Sequence, residues 1–436
     1  MDLKDKIAVF GLGYIGLPFT AALANVGYRV IGVDIDKEKI NLLQIGKIPI
    51  YEPGLQEMLQ NHKDKIEYTT DSAYAIKSAE SLLVTVGTPV DNNEEPDYTQ
   101  IDSSINEIGR NLRKGQLIIL KSTLVIGTTE EYIKPRLEEI SGLKAGEDFY
   151  LVFCPERTIE GLALYEIYNL PKIIGGINKE SALKAEKILK KLGKTHIVSS
   201  PRVAEMCKLV DNLYRATNIA FANELGHVCE KIGIDAHEVV SAVNSSYPRT
   251  KIFSPGLGAD GPCLSKDPFI FKHAAKKNKV QTPLIDGSII QNKSSTTRIA
   301  EMVKEHILKN NLEKINLAII GLAFKGFPET DDLRGSPATK ILDVLQKEKI
   351  HLDSIKLYDP LVKNFMNYEL SGSITEAISD SNIVLFLTNH PKIMNMDIEH
   401  ISDKLSKPAM IIDAWGNLSL SAIPEGIRYF RIGKGN

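Results

Sequence analysis

The sequence predicts an α/β protein with two doubly wound, parallel-sheet domains joined by a helical central segment. Three observations lead to this fold class: a glycine-rich turn at residues 11–16, a long stretch without strong helix breakers from residue 201, and a second glycine turn at residues 321–326. A chain of 436 residues is also too long for one ordinary hydrophobic core. We therefore expect two or three domains.

The first element is the apolar run Ile7–Phe10, which leads into the turn Gly11-Leu12-Gly13-Tyr14-Ile15-Gly16. A helical stretch follows, and a second strand at residues 29–33 ends at Asp34, 23 positions beyond the first glycine. This order is typical of Rossmann-like dinucleotide-binding domains, in which the carboxylate binds a ribose hydroxyl. It predicts NAD as the cofactor, because a carboxylate at position 34 would repel the 2′-phosphate of NADP. A glycine turn used only for packing would leave Asp34 unexplained.

Short apolar runs continue this pattern, with helical segments between several of them. They lie at residues 82–86, 117–120, 151–153 and 172–174. Such alternation is expected of a parallel sheet that is covered by helices on both faces. We predict that the first domain, an NAD-binding Rossmann domain, spans residues 1–198.

A helical section follows the first domain. Residues 201–232 have no strong breaker before Gly226, and helical patterns resume from Ala236 and again over residues 284–308. Sections of this kind commonly join two α/β domains and can carry a subunit contact. We predict a central segment over residues 199–308.

The last part of the chain restarts the α/β pattern and looks like an internal repeat of the first. Its apolar runs lie at residues 317–321, 355–359, 383–387 and 410–413. When residues 8–16 are laid on residues 318–326, the outer glycines match and Ala323 replaces the middle glycine, Gly13. Because the middle glycine lets a pyrophosphate approach the backbone, we expect this third domain, residues 309–436, to bind a different phosphate ligand.

Composition limits the possible partners. The chain is 43% hydrophobic and 25% charged, and its net charge of −2 offers no basic field of the kind that binds nucleic acid. No apolar stretch is long enough to span a bilayer, so we expect a cytoplasmic protein without a membrane partner. None of the four cysteines forms a CxxC pair, which argues against a disulfide framework or a zinc site, and we predict no metal site.

Residues 254–268 surround one cysteine, Cys263, with three glycines and three prolines. Such a run cannot form a helix or an inner strand, so we expect Cys263 on a loop where the backbone can approach a ligand. Lys266 is close enough in sequence to favour the thiolate. The spacing alone leaves two interpretations open, a nucleophile or a packed loop thiol.

Six motifs occur in order along the chain. They are the glycine turn at 11–16, Lys121-Ser122-Thr123, Pro155-Glu156, Lys208 with Asn212, Cys263 with Asp267, and Phe324-Lys325 with Asp331-Asp332-Leu333-Arg334. In these motifs nearly the whole chain resembles the UDP-glucose and UDP-N-acetylhexosamine 6-dehydrogenases, and most of all the UDP-N-acetylmannosamine branch. The resemblance implies an NAD-binding domain, a helical dimerisation segment and a UDP-binding domain, and hence a UDP-sugar substrate and a homodimer.

The resemblance also implies a reaction, the NAD-dependent oxidation of the C6 hydroxymethyl group of a UDP-sugar to a carboxylate. Oxidation of a primary alcohol to an acid removes two hydrides, so the intermediate aldehyde must be retained between the two steps. A cysteine can retain it as a thiohemiacetal and then as a thioester, which water hydrolyses. The resemblance assigns this role to Cys263.

Further catalytic roles follow from the resemblance. Lys208 would stabilise an oxyanion, helped by Asn212 one turn along the same helix face. Thr123 and Asp267 would hold a water molecule for the first proton transfer, and Glu156 would assist hydrolysis of the thioester.

The sequence alone leaves other interpretations open. Lys208 could be a solvated partner of Glu205, three positions earlier on the helix. Each carboxylate could instead cap a loop. A one-hydride dehydrogenase would not need Cys263, and a protein that only binds NAD or a UDP-sugar would need no thiol among glycines.

The resemblance implies two sets of ligand-binding residues. The cofactor-binding set is Gly11, Gly13, Tyr14, Ile15, Gly16, Asp34, Thr88, Thr123 and Arg334. In the substrate-binding set, cations would face the phosphates, and Arg249 would reach the sugar nucleotide of a neighbouring subunit. That set is Glu156, Arg157, Lys208, Asn212, Arg249 and Lys325.

The choice of sugar depends on few positions. Arg157, and Arg249 within Tyr247-Pro248-Arg249, resemble the acetamido-sugar branch, whereas Lys266 resembles the glucose branch. We therefore predict the oxidation of UDP-N-acetyl-D-mannosamine to UDP-N-acetyl-D-mannosaminuronate, with UDP-glucose and UDP-N-acetylglucosamine as the alternative substrates.

One departure from the family precedes the cysteine. The chain has Asp260-Gly261-Pro262 where the family usually has two glycines followed by His or Ser. An aspartate that pointed towards the thiol would disfavour the thiolate.

Overall fold

The computed structural model describes residues 6–91, 93–420 and 422–435. The chain divides into two compact units, which are residues 1–211 with 269–281, and residues 212–268 with 282–436. The domain boundaries expected at 198/199 and 308/309 separate segments by function and not by compactness, so they stay predictions. Both units are of the α/β type, which confirms the predicted fold class.

The first unit contains an eight-stranded sheet in the order β3-β2-β1-β4-β5-β6-β7-β8. Its strands are β1 (Lys6–Phe10), β2 (Arg29–Val33), β3 (Ile66–Thr69), β4 (Ser81–Val84), β5 (Leu117–Leu120), β6 (Tyr150–Phe153), β7 (Lys172–Gly176) and β8 (Thr195–Val198). The first six are parallel in the order 3-2-1-4-5-6 of a doubly wound dinucleotide-binding fold. The pairing of β6 with β7 is antiparallel, which the sequence did not predict.

Helices cover both faces of this sheet and bury separate apolar clusters against it. They are α1 (Gly16–Asn25), α2 (Lys37–Gln44), α3 (Leu55–Asn61), α4 (Ser72–Ser78), α5 (Thr99–Asn111), α6 (Lys134–Ser141), α7 (Ala163–Asn169) and α8 (Lys179–Leu189). In α5, for example, Ile101, Ile105 and Ile108 recur at helical spacing and are all buried. Alternating strands and amphipathic helices thus produce the predicted layered domain.

The helical section begins with one long helix, as predicted. Its helices are α9 (Pro201–Ile232), α10 (Ala236–Ser246), α11 (Gly261–Leu264), α12 (Asp267–Lys277) and α13 (Pro283–Lys309). The expectation that Cys263 lies on a loop is wrong, because Cys263 belongs to the single turn of α11. Pro262 is tolerated there because it occupies the first turn of the helix, where its missing N–H has no partner to lose.

The second unit contains a parallel five-stranded sheet in the order β10-β9-β11-β13-β15, and a two-stranded sheet of β12 and β14. The strands are β9 (Asn316–Ile320), β10 (Ser354–Tyr358), β11 (Ile383–Phe386), β12 (Met396–Asp397), β13 (Ala409–Asp413), β14 (Leu418–Ser419) and β15 (Ile427–Arg431). The helices are α14 (Pro337–Lys347), α15 (Ile374–Ile378) and α16 (Ile398–Ser402). The order is the 2-1-3-4-5 variant of the doubly wound fold, and apolar clusters lie on both faces.

Candidate active site

The glycine turn of the first unit lies where the strand order reverses, between β1 and β4, which is where doubly wound sheets bind ligands. Gly11 has a φ of +89°, which favours glycine, and its amide donates to Val33 O at 2.8 Å. A Cβ on Gly16 would lie 1.8 Å from Gly11 O, whereas a Cβ on Gly13 would meet no atom within 4 Å. The turn therefore needs glycine for its shape and its packing, and leaves open space at Gly13. This arrangement fits the pyrophosphate of NAD.

Asp34 follows β2 directly and is 8% exposed. It accepts hydrogen bonds from Leu12 N at 2.8 Å, Lys39 Nζ at 2.8 Å and Asp36 N at 3.0 Å. Burial alone would raise the pKa of Asp34, but these donors lower it overall. An ionised carboxylate therefore lies beside the glycine turn, as a ribose-binding position requires. The sequence interpretation missed Lys39.

The other residues of the predicted cofactor set are distributed over both units. Tyr14 and Ile15 are half-buried within the glycine turn, and Thr88 is buried four residues beyond β4. Thr123 is half-buried three residues beyond β5. Arg334 belongs to the second unit, where its guanidinium pairs with the buried Asp332 at 2.7 Å.

Glu156 lies three residues beyond β6 and is 5% exposed. Its Oε1 accepts from the amides of Arg157 and Thr158, each at 2.8 Å, and Lys121 Nζ lies 3.1 Å from Oε2. One oxygen thus caps the turn, as the alternative interpretation expected, and the other faces a buried ammonium. The Arg157 guanidinium is bound by Asp211 at 3.1 Å.

Lys208 and Glu205 do not form the solvated pair that the sequence left open. Lys208 is 9% exposed, and Glu205 is 1% exposed. The Glu205 carboxylate accepts from Gly127 N at 2.5 Å, Thr129 N at 2.9 Å and Thr129 Oγ1 at 2.6 Å. Among the described residues, no carboxylate pairs with the Lys208 ammonium within 4.0 Å. Lys208 is therefore a buried cation without an anionic partner among the residues that the structure describes.

Asn212 lies one helical turn beyond Lys208 on α9, as expected, and is 1% exposed. Its amide nitrogen donates to Asp267 Oδ2 at 2.5 Å, and Asp267 is completely buried. Lys266 Nζ binds the other Asp267 oxygen at 2.9 Å. The Lys266 ammonium is therefore engaged by a carboxylate, which the sequence did not predict.

Cys263 is a half-buried thiol on α11. The turn before it needs glycine, because Gly261 has a φ of +83° and a Cβ there would lie 2.5 Å from the Phe324 ring. A Cβ on Gly335 would in turn lie 3.0 Å from the Gly261 backbone. The cysteine motif thus packs against two segments that flank Lys325 and Arg334, so motifs far apart in sequence meet around Cys263.

Asp260, the departure from the family, forms an ion pair with Lys340 of α14. Its side chain is 9% exposed. The charge of Asp260 is therefore paired with a lysine that the sequence gave no reason to place there.

The second glycine turn reproduces part of the first. Gly321 N donates to Tyr358 O at 2.8 Å, and Leu322 N donates to Asp359 Oδ2 at 2.7 Å. Asp359 is thus the structural counterpart of Asp34, which the sequence comparison missed. No helix opens at this turn, because residues 321–336 form a loop before α14. A dinucleotide phosphate would therefore meet no helix N-terminus here.

Lys325 lies in this loop, beyond the end of β9, and its ammonium donates to Pro328 O. A Cβ on Gly326 would lie 2.1 Å from His390 N, so the loop packs on the segment that follows β11. Strand order reverses between β9 and β11, which makes this edge the expected ligand position of the second sheet.

Arg249 is exposed three residues beyond α10 and contacts the Tyr247 ring and hydroxyl.

Across residues 6–91, 93–420 and 422–435, none of the helices has the length and apolar character needed to cross a membrane. The same residues contain no group of three or more His, Cys, Asp or Glu side chains placed to hold a metal ion.

Three sequence models of the UDP-glucose/GDP-mannose dehydrogenase family match the chain: the NAD binding domain at residues 5–193, the central domain at 202–294 and the UDP binding domain at 318–419. A UDP-N-acetyl-D-mannosamine dehydrogenase of Pyrococcus horikoshii is 32% identical over 99% of this chain and 100% of its own. The solved structure of a UDP-D-ManNAc dehydrogenase from Pyrococcus horikoshii is similar with a TM-score of 0.89 at 31% identity, and 99% of each chain is covered. A UDP-N-acetyl-mannosamine dehydrogenase from Staphylococcus aureus gives 0.84 at 32% identity, with 98% of each chain covered.

Proposed function

Because the chain belongs to the UDP-glucose/GDP-mannose dehydrogenase family, we propose that it oxidises UDP-N-acetyl-D-mannosamine at C6 to UDP-N-acetyl-D-mannosaminuronate. This membership confirms the resemblance seen in the sequence. It also confirms the expected activity class, an NAD-dependent nucleotide-sugar dehydrogenase. The observation that best supports the covalent route is the half-buried Cys263, whose turn contains a left-handed glycine, Gly261, packed against the segments that flank Lys325 and Arg334. A packed loop thiol would not need this arrangement.

The choice of sugar rests on the relatives and on two arginines. The similar proteins from Pyrococcus horikoshii and Staphylococcus aureus are both named as dehydrogenases of UDP-N-acetylmannosamine. Arg157 and Arg249 resemble the acetamido-sugar branch, and Lys266, the residue that favoured glucose, is engaged by Asp267. UDP-glucose and UDP-N-acetylglucosamine remain the alternative substrates.

The proposed reaction begins with proton removal from the C6 hydroxyl through a water held by Thr123 and Asp267. NAD supplies the chemistry of accepting a hydride, and the four-electron oxidation uses two NAD in turn. The Cys263 sulfur adds to the aldehyde carbon between the two oxidations, and Lys208 and Asn212 stabilise the oxyanion. Oxidation of the thiohemiacetal then gives the thioester. Water attacks it with help from Glu156, the C–S bond breaks, and the acid and the free thiol are released.

The ligand-binding residues are also part of this proposal. Asp34 would bind the adenosine ribose of NAD, the glycine turn and Arg334 would lie near its pyrophosphate, and Thr88 would complete the cofactor-binding set. Lys325 would bind the UDP phosphates.

We also assign the homodimer to an exposed apolar stripe on α9. Its side chains recur at intervals of three, four or seven residues, and each is at least 36% exposed: Val203, Met206, Val210, Tyr214, Phe221, Val228 and Ile232. Such a stripe on an isolated chain favours pairing with a second helix. In the dimer, the exposed Arg249 would reach the partner's sugar nucleotide.

The proposed function is tested by incubating purified protein with NAD and a panel of UDP-sugars. NADH absorbance and mass spectrometry of the products would be followed together. We expect two NADH per molecule of acid, and a kcat/KM for UDP-N-acetylmannosamine that exceeds that for UDP-glucose by orders of magnitude, because a bare 2-hydroxyl would leave acetamido-binding groups unpaired. One NADH per substrate would indicate a one-hydride dehydrogenase, no NADH would indicate a binding protein, and a preference for UDP-glucose would refute the sugar assignment.

Replacement of the nucleophile tests the covalent route. Cys263→Ser is expected to abolish acid formation while NAD affinity stays nearly unchanged, because the thiol acts chemically and the glycine turn lies elsewhere in the chain. Cys207→Ser, at another half-buried thiol, is the matched control and should retain activity. Substantial acid production by Cys263→Ser would refute the thioester.

A further inference from the structure

A cluster of buried charged and thiol side chains lies at the carboxyl ends of β5 and β6. It comprises Lys121, Cys154, Glu156 and Lys172, and each is at most 5% exposed. Lys121 follows β5 directly, and Cys154 follows β6 directly, so the parallel pairing of these strands brings the two side by side. We call these four residues the Lys121 cluster.

Lys121 is the centre of this cluster. Its Nζ lies 3.1 Å from Glu156 Oε2, 3.3 Å from Cys154 O, and 4.3 Å from the centre of the Phe19 ring. A buried ammonium is costly unless it is paired, and a well-packed apolar side chain at such a position is often at least as stable. Stability alone therefore does not explain a lysine at this position.

The neighbouring cations are engaged elsewhere. Lys172 Nζ donates to the carbonyl oxygens of Ile167 and Leu170 at 2.5 and 2.6 Å. The Arg157 guanidinium binds Asp211 and Pro171 O. Lys121 is thus the cation in contact with Glu156.

The two Glu156 oxygens have different surroundings. Oε1 accepts two backbone hydrogen bonds, which fix the plane of the carboxylate, and Oε2 forms an ion pair with the Lys121 ammonium at 3.1 Å. Burial alone would raise the pKa of Glu156, but Lys121 and the Thr158 amide lower it overall. Burial alone would lower the pKa of Lys121, but Cys154 and Glu156 raise it overall. At neutral pH both groups are therefore charged.

We propose that Lys121 is a positioning residue for thioester hydrolysis, in which its ammonium holds Glu156 as an ionised and fixed general base. This inference rests on the proposed function. In the step, Glu156 accepts a proton from water, the water oxygen bonds to the thioester carbon, the C–S bond breaks, and the proton passes to the departing Cys263 sulfur. A buried carboxylate without its ammonium would be protonated and could not accept that proton.

Lys121→Met removes the charge while keeping an unbranched apolar chain. The two oxidation steps should continue, so the variant should show a burst of two NADH per site followed by slow turnover and an accumulated thioester detectable by mass spectrometry. Turnover at pH 7 should fall about tenfold or more, and its pH profile should move upward until Glu156 is mostly protonated at pH 7, since below the pKa each unit changes the ionised fraction about tenfold. A uniform loss of both phases without a shift in the pH profile would overturn the proposal.

Two comparisons separate this role from a merely structural one. Lys172→Met removes the other buried lysine of the cluster and should leave the pH profile in place. In a Glu156→Gln background, Lys121→Met should cause no further slowing of hydrolysis, because the lysine acts through Glu156. An equal loss in both backgrounds would contradict the inference.

The ionisation state of Glu156 can be read without turnover. Infrared difference spectra of the unaltered protein and Glu156→Gln between about pH 5 and pH 8 should show an ionised Glu156 throughout, and Lys121→Met should show a protonated carboxyl that Glu156→Gln removes. A protonated Glu156 in the unaltered protein would overturn the proposal, even if Lys121→Met does not fold. Failure of the proposed function would appear separately, as the absence of two NADH per acid in the unaltered protein.

Discussion

Glu205 shows how burial can raise the pKa of a carboxylate that looks ordinary in the sequence. Burial raises its pKa to about 6, against the opposing hydrogen bonds from Thr129 and Gly127. The ordinary value is 4.5, so the folded state binds more protons than the unfolded chain between these two values. The free energy of unfolding therefore decreases as pH rises through this window.

The decrease of the free energy of unfolding with rising pH can be tested with Glu205→Gln. The contribution of Glu205 should fall by about 2 kcal/mol from about pH 4.5 to above pH 6, so the stability of the unaltered protein relative to the variant should decrease over that range. Urea unfolding at several pH values measures the difference and cancels the titration of other groups. Parallel stability curves would show that Glu205 has an ordinary pKa in the folded protein.

Asp34 gives a second prediction at the scale of the residue. Asp34→Ala should weaken NAD binding by about 1.5–3 kcal/mol, because the ribose would lose hydrogen bonds to a charged acceptor. Asp359→Ala is the matched control, since Asp359 makes the same kind of bond to a glycine turn in the second unit. Calorimetric titration should show unchanged NAD affinity in the control, and unchanged affinity in Asp34→Ala would contradict the ribose assignment.

Residues within a sequence motif could be predicted, and their long-range partners could not. The 23-residue spacing revealed Asp34, and the glycine-rich run singled out Cys263. The partner of Asp260, Lys340, is 80 positions away, and nothing in a single sequence indicates that contact. The catalytic and binding roles of the motif residues stay predictions until the variants are measured.

At the scale of the element, buried apolar runs predicted the central strands within one or two residues. The edge strands β3 and β8 were missed because their sequences, IEYT and THIV, mix polar with apolar residues and are only partly buried. The helix α11 was missed because glycine and proline dominate its sequence, although proline is compatible with a first helical turn.

The stripe on α9 gives the prediction that belongs to this scale. Val210→Asp and Phe221→Asp would each place a charge in the proposed subunit contact, and we expect monomers by light scattering because burying an unpaired charge is costly. Leu308→Asp changes a more exposed side chain, 67% accessible, on α13 and should leave the dimer intact. A dimer that persists in both α9 variants would place the contact elsewhere.

At the scale of the molecule, two related sheets carry unequal glycine turns. The first turn opens a helix and has free space at Gly13, whereas the second has Ala323 and continues into a loop. Repetition of the fold therefore does not imply repetition of the ligand.

We accordingly expect one NAD per chain, with no second dinucleotide on the second sheet. Calorimetry with NAD alone should give a stoichiometry of one, and Gly13→Val should remove it, because the side chain would fill the space left for the pyrophosphate. Residual binding of one equivalent in that variant would assign NAD to the second turn.

The antiparallel pairing of β6 with β7 decides where the backbone leaves the first sheet. Strands β7 and β8 run back towards the amino ends of the parallel strands, and Pro201, where α9 begins, lies beside Gly175, which pairs with Phe153 at the end of β6. Ten residues of helix then rise about 15 Å, roughly the length of one strand, to Asp211, which pairs with Arg157 beyond the carboxyl end of β6. This ion pair places the first turns of α9, and with them Lys208, beside the carboxyl end of β6, where Glu156 lies.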